Sequence, residues 1–530
     1  MVCVIYVNPI SVKETTDLHD IIHSLSMSEK RYISLSIMHQ GDNTYLKLFR
    51  AIAKQKEFDE SELRQVLKNE KFIERLPKIK YFLYNFILRK LTSYYWSRNP
   101  DTFLNELFIE VDILYKKNLY GQARKRMLKL KALAEENEEY ELLLQCHRWE
   151  RRFSINTSYK PRTARDRDAY LQQELDLIKK VELLSRYSAL SDKFFIYIKT
   201  NGEIRKKADI EKVQEFLHDP LMNIEPEKLP PPVKILFHHL HLQFHYYLQD
   251  YDKALEHIEK YLSALKPKIS SNESTLKRYI KGLTNKALIL GRYGRYANAF
   301  ATLEKMHNTI DGLAKKNQLS EETIKSLNTG VYELEAELYM QSGQYSKIIN
   351  MIPVIEEFMN KYEGKLELEY VLFFNYIIAC TQLIVGNFKQ SILYLNRILN
   401  HTKGEITLRE DLYCYCKIVY LIAHYEAGTE GLPDYLIKST YRFLAQRNRL
   451  YKVETAILTF IKNKLLKNFK PAALTHSLQE LKDNIVAITA DPYEKKILEY
   501  FDFVSWLEGK ISGRPFMEVI AEAQNKMKQN

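Results

Sequence analysis

Glycine and proline are scarce, 16 and 15 residues in a chain of 530. With so few breakers, runs rich in leucine, lysine and glutamate go uninterrupted, and the sequence predicts helix nearly throughout. Clean period-two alternation is also missing, which argues against a β-rich domain; "VCVIYV" near the start is the one strand-like run. Cysteine is rare. Cys3, Cys146, Cys380, Cys414 and Cys416 are odd in number and lack framework spacing, which points to free thiols in a reducing compartment. Cys414 and Cys416 lie two apart on a predicted helix and so face different directions. No run of about 18 apolar residues exists, so no transmembrane helix and no membrane insertion are expected. The opening "MVCVIYVNPISVKE" lacks the basic lead-in, long apolar core and small-residue site of a secretory leader. The expected location is the cytoplasm.

Catalytic signatures are missing too. There is no phosphate loop, dinucleotide fingerprint or nucleophile elbow, and no pair of carboxylates stands out as an acid and base. Neither an enzyme nor a cofactor is expected. The "HDIIH" segment, His19 to His23, falls one methylene short of the H-E-x-x-H zinc motif, and no third ligand follows; it reads as a surface helix with incidental histidines. In "FHHLHLQFHYY", His238, His241 and His245 are spaced i, i+3, i+7 and share a helix face that could meet a transition metal. They also fall at large packing positions, so they are expected as flat core rings with hydrogen bonds, and no metal is expected. The net charge of +12 and pI near 9.0 are a mild excess over this length; they permit a nucleic-acid partner without requiring one. The arginine- and aromatic-rich stretches Arg151–Arg167 and Tyr441–Lys452 are read as solvated segments, the first a loop.

Hydrophobic residues make up 45% and charged residues 28%, as in a soluble folded chain. The length exceeds one ordinary core, so the chain holds several domains or a repeat array. Tyrosine is abundant, at 37 residues, and part of it recurs in a device. In "YLQDYDKALEH", "LGRYGRYANAF", "YMQSGQYSKII" and "IVGNFKQSIL", a turn former precedes an aromatic, and a helix follows. The aromatics are Tyr251, Tyr296, Tyr345 and Phe388, 45, 49 and 43 residues apart (251 to 296 to 345 to 388). Each follows Asp250 directly, or Gly294, Gly343 or Gly386 by two residues. Ala254, Ala299, Ile348 or Ser391 comes three residues later. The pattern predicts helix pairs: the first helix ends at the turn former, the aromatic opens the second and packs back on the first, and the small residue lets the backbones approach.

These residues resemble the tetratricopeptide repeat. Tyr251, Ala254 and Ile258 match its aromatic–alanine–apolar spacing, as do Tyr296, Ala299 and Leu303, and Tyr120, Ala123 and Met127. Ile348 and Ser391 depart from the alanine, and the spacing exceeds the family's usual period of about 34. The resemblance implies an all-α, TPR-like α-solenoid of antiparallel helix pairs over residues 98–450. An irregular N-terminus (1–14) and an N-terminal helical domain (15–97) would precede it, and C-terminal capping helices (451–530) would close its apolar end. In the first domain, helices are expected over 15–38, 43–55 and 60–69, ahead of a long amphipathic one. Helix starts are also expected at "SSNE" (Ser270–Glu273), read as a capping box, at Asn99–Pro100, after Pro230–Pro232, and at "DPYE" (Asp491–Glu494).

In such arrays the first helix of each pair lines a concave groove, and a mid-helix asparagine there clamps peptide backbone. The resemblance therefore assigns Asn285, with Lys281, Thr284, Leu288 and Arg292, to a partner-binding face. Glu333 and Glu337 would extend it in the next repeat, and His239, Gln243 and Tyr246 in the previous one. The expected function is a non-catalytic protein- or peptide-binding scaffold. The alternative is a peptide-sensing transcriptional regulator whose N-terminal helices contact DNA, with a recognition helix starting near Lys71; but Tyr81, Phe82, Leu83, Phe86 and Ile87 make that helix apolar enough to be buried.

Overall fold

The computed structural model describes residues 16–39, 43–95, 100–156, 164–201, 207–270, 272–316, 319–401, 410–428, 434–446, 450–465 and 471–529. The strand-like "VCVIYV", Asn99 and the middle of the Arg151–Arg167 stretch lie outside them. Among the described residues all regular structure is helical, and no helix is long and apolar enough to cross a membrane. The chain forms two compact units, Met1–Val181 and Glu182–Asn530.

In the first unit, helices Asp17–Ser24, Met27–His39, Asn43–Lys54, Glu60–Val66 and Leu76–Tyr95 enclose a core that includes Ile22, Ile33, Ile37, Ile52 and Leu83. The helix expected over 15–38 is broken at Leu25–Ser26. His19 is buried rather than on the surface: its ring stacks on His23 at 4.1 Å, and His23 Nε2 meets the Ile52 carbonyl at 3.1 Å. Lys71–Arg75 is a short 3-10 turn leading into Leu76–Tyr95. The apolar run there divides: Leu83 and Ile87 are fully buried, while Tyr81 and Phe82 are exposed. Helices Pro100–Lys116, Tyr120–Asn137 and Tyr140–Asn156 then pack in sequence around Val111, Ala123, Met127 and Trp149. Residues 151–156 of the first basic stretch are helical rather than loop, and Arg151 is anchored to Glu174 at 2.8 Å.

The second unit carries eight consecutive helices: α1 (Pro231–Tyr247), α2 (Tyr251–Leu265), α3 (Glu273–Arg292), α4 (Tyr296–Lys315), α5 (Glu321–Gln341), α6 (Tyr345–Lys361), α7 (Leu368–Ile384) and α8 (Phe388–His401). Short turns make packed neighbours antiparallel. Each odd helix packs on the even helix after it, each even helix on the next odd one, and α3 also packs on α5 and α5 on α7. This is a solenoid-like stack of helix pairs. From Ala336 onward one hydrophobic core runs into the helices beyond residue 410, where Tyr376 donates to the Tyr500 carbonyl and Trp506 to Glu426.

The recurring turn is a left-handed C-terminal cap. Gly294, Gly343 and Gly386 have φ of 76°, 55° and 84°, each two residues before its aromatic. The amide of the next residue reaches back to the helix: Arg295 to the Leu290 carbonyl (2.8 Å), Gln344 to Tyr339 (2.8 Å) and Asn387 to Gln382 (2.8 Å). This is the Schellman arrangement, which satisfies carbonyls the helix end would otherwise leave open. Before Tyr251 the left-handed residue is Gln249 (φ 60°), not Asp250, which instead caps α2 by accepting from the Lys253 amide at 3.3 Å. Asn118 (φ 61°) precedes Tyr120 in the same way, and Glu138 (φ 63°) precedes Tyr140, a copy of the device that the sequence pattern did not reveal.

Three residues past each aromatic, Ala123, Ala254, Ala299, Ile348 and Ser391 are all fully buried. The aromatics themselves vary. Tyr345 is buried, whereas Tyr296 is half-buried and its hydroxyl donates to the Gln341 carbonyl at 2.9 Å, reaching forward to the end of α5 rather than only back onto α3. The capping box expected at Ser270–Glu273 also resolves differently. Asn272 is the cap, accepting from the Thr275 amide at 2.8 Å. Glu273 crosses to the start of α5, where its carboxylate takes the Ser320 amide (2.7 Å), the Ser320 hydroxyl (2.9 Å) and the Thr323 hydroxyl. The α1 helix begins at Pro231 itself, where a missing amide hydrogen costs nothing.

Two outcomes follow for stability. A methyl group at Gly294 would meet nothing within 4 Å, so Gly294→Ala is penalised by its φ alone, by about 1 kcal/mol, whereas Gln249→Gly relieves the same strain and gains about 0.5–1 kcal/mol. Melting curves of the two variants should shift in opposite directions; a shared direction rules out the left-handed cap at one of them. In the same assay Tyr345→Ala should cost about 3–5 kcal/mol, as for other large buried aromatics, and Tyr296→Phe only about 1 kcal/mol for its one hydrogen bond. Equal losses would mean that the two aromatics play the same role.

Candidate functional site

The face of α3 is set by two glycines. A Cβ at Gly282 would lie 2.8 Å from Leu262 and 2.9 Å from Tyr261 on α2, and one at Gly291 would lie 2.8 Å from Gln341 and 3.0 Å from Leu338 on α5. Nine residues apart, these positions lie on opposite sides of the helix, since each residue advances about 100°. The helix is therefore clasped closely on both flanks. Ile280, Leu283, Ala287 and Leu290 fill the core side. Lys281, Asn285 and Arg292 cluster on the remaining side, with Leu288 at its edge, where it still packs against the core.

Lys281 is exposed, and Asn285 and Leu288 are half-buried. Neither Lys281 nor Asn285 has an ion-pair or side-chain hydrogen-bond partner among the described residues. Arg292 lies over the Tyr246 ring of α1, 5.0 Å from its centroid, which joins the faces of the two helices. Gln243, on the same side of α1 as Tyr246, keeps its Oε1 buried without a hydrogen bond. On α5, Glu337 accepts from Gln341 at 3.1 Å, and Glu333 lies near Tyr370, whose hydroxyl is pushed up to about 12 first by burial and then by this charge.

Two of the predicted face residues are placed elsewhere. Thr284 is turned toward the flank, buried, and donates to the Ile280 carbonyl of its own helix at 3.1 Å. Its offset of about 60–70° from the other four is what helical spacing requires. His239 packs on Tyr261 of α2 at 5.5 Å, and burial lowers its pKa to about 4.

A second constellation lies on the other side of α1. His238, His241 and His245 face α2, which contributes His257. The rings of His241 and His257 stack at 4.4 Å, and His245 lies 5.8 Å from each. His238 Nδ1 and His257 Nδ1 are 3.1 Å apart. The rings pack as expected, but the expected hydrogen bonds are incomplete: both ring nitrogens of His241 and Nδ1 of His245 are buried without a well-formed one. Asp250 stands 3.4 Å from His245 Nδ1. Burial pushes the His238 and His241 pKa values down to about 4, and burial plus the neighbouring rings push that of His257 to about 3. Sequence reasoning missed His257; the signal was its place three residues past Ala254, on the side of α2 that meets α1.

A cavity of about 750 Å³, lined in part by Tyr451, Thr455, Thr459, Asn484 and Glu494, opens beside the helices after residue 450. The free thiols Cys146, Cys380, Cys414 and Cys416 are all buried, and burial pushes Cys146 and Cys380 up to about 12, which leaves them unreactive. Comparison with protein-family models finds no match, and comparison with curated proteins finds none either.

The lowered His239 pKa has a pH consequence. Its ordinary value is 6.5 and its folded value about 4, so between these the unfolded chain binds the proton first. Its contribution to stability is complete above about pH 6.5 and is lost as the pH falls toward 4. His239→Phe removes this titration, so the drop in melting temperature between pH 7 and pH 5 should be smaller than in the parent. An unchanged drop would mean that His239 is not held neutral.

Proposed function

We propose that the chain is a non-catalytic scaffold, similar in design to tetratricopeptide-repeat proteins, that holds a protein or peptide against the joined faces of α1, α3 and α5. The observation that carries this reading is unspent polar capacity on one continuous face. Among the described residues Asn285, which offers a donor and an acceptor, uses neither, Gln243 keeps an acceptor open, and Lys281 has no counter-ion. A buried polar atom left open costs about 1–3 kcal/mol, which a bound backbone amide would recover. Lys281 would attract an acidic side chain or terminal carboxylate, Leu288 would supply apolar contact, and Glu333 and Glu337 would set the polarity of the bound segment. Thr284 and His239 are left to the packing of the stack.

The test separates binding from folding. The double variant Asn285→Ala, Lys281→Glu should melt within about 0.5 kcal/mol of the parent, because neither side chain, one exposed and one half-buried, makes a side-chain hydrogen bond or ion pair among the described residues. It should lose most co-purifying partner from the native host, because charge reversal adds repulsion to the lost hydrogen bonds. Full partner recovery with intact folding counts against this face. A large loss of stability would make Asn285 a structural residue of the stack.

A further inference from the structure

We propose that His241, His245 and His257 bind one first-row transition-metal ion, Zn²⁺ in the first instance, with His238 as the fourth ligand. One ligand nitrogen from each of the three lies within 4.8 Å of the other two. His241 and His245 are one turn apart on α1, and His257 faces them from α2, so the ion would bridge both helices of the pair. The set is all imidazole, without sulfur, which suits Zn²⁺, Co²⁺, Ni²⁺ or Cu²⁺ rather than Mg²⁺ or Ca²⁺.

The geometry is near what such an ion needs. Zinc–nitrogen bonds of about 2.0–2.1 Å in a tetrahedron put neighbouring ligand nitrogens about 3.4 Å apart. The His238–His257 nitrogens, at 3.1 Å, are already near that spacing, and those of His241 and His245, within 4.8 Å of His257 and of each other, would have to draw in to reach it. Asp250 is placed to fix His245: accepting from Nδ1–H, it leaves Nε2 to ligate, the carboxylate–histidine arrangement common at zinc centres.

The apo arrangement also has an electrostatic gap that an ion would fill. A neutral imidazole carries one N–H and one lone pair, so four of them in contact without enough donors leave lone pairs facing each other. His241 is the clearest case, since both of its nitrogens are buried without a well-formed hydrogen bond, the Met222 backbone being its one weak polar neighbour. A dication accepts three or four such lone pairs at once. The spacing H-x₂-H-x₃-H-x₁₁-H is readable in the sequence, but its fourth member meets the others only when α2 folds back on α1.

The experiment uses the full chain, freed of metal by chelator and titrated with ZnCl₂ and, separately, CoCl₂. One equivalent should bind, and Co²⁺ should give the visible absorption of a tetrahedral nitrogen site. X-ray absorption of the Zn²⁺-loaded protein should show at least three imidazole nitrogens and no sulfur; this reading needs no variant. His241→Ala and His257→Ala should each weaken binding at least tenfold, while His307→Ala, at a histidine paired with Glu335 elsewhere in the stack, should leave it unchanged. No saturable binding, sulfur or oxygen-only coordination, or equal affinity in folded His241→Ala and His257→Ala variants would overturn the proposal. If those variants fail to fold, the coordination spectrum of the parent decides.

Discussion

Each pair in the stack depends on one left-handed residue at the end of its first helix. With φ positive at Gly294, Gly343, Gly386 or Gln249, the next amide folds back onto the helix it has just left, and the chain reverses within three residues. A reversal that tight forces the two helices to be antiparallel neighbours. It also fixes the aromatic two residues on as the first residue of the second helix, and the residue three further on as the point of closest approach. Ala254, Ala299 and Ser391 are small enough to allow it; Ile348 is not small but is just as completely buried, so the α5–α6 approach must accommodate its branch.

The stack is tied together along its length by contacts between neighbouring helices and by others that skip one. Glu273 at the start of α3 receives three hydrogen bonds from Ser320 and Thr323 at the start of α5, and Tyr296 at the start of α4 donates to Gln341 at the end of α5. Gly282 and Gly291 then bring α3 against α2 and α5 so closely that a Cβ at either would have to displace Leu262 and Tyr261, or Leu338 and Gln341. With both flanks closed and the core behind, α3 retains a single free side. Lys281, Asn285 and Arg292 are displayed there, with Leu288 at the boundary with the core, and this links the cap geometry to the proposed partner face.

The opposite side of α1 has a different character. The side toward α3 carries Gln243 and Tyr246, while the side toward α2 gathers four histidines that burial holds neutral. Neutral imidazoles are poor ion-pair partners and good metal ligands. One helix thus supplies Gln243 and Tyr246 to the proposed partner face and His238, His241 and His245 to the proposed metal site, as the helical period allows.

The sequence alone determined the all-helical class, the pairing of helices and most pair boundaries, because breaker scarcity, apolar period and the glycine–aromatic turn are local properties that a linear chain displays. It also placed Lys281, Asn285, Leu288 and Arg292 together, since helical spacing needs no tertiary information. Residues whose roles come from other helices were not legible. Gln249 and Glu138 take the left-handed cap although neither residue type favours it; Glu273 serves α5 rather than its own helix; Thr284 falls toward a flank whose partner the sequence does not name. His257 joins the other histidines only through the register of α2 on α1. Such assignments depend on which faces meet, and that is decided by the close packing of distant segments, where a fraction of a helical turn moves a side chain from a groove into the core.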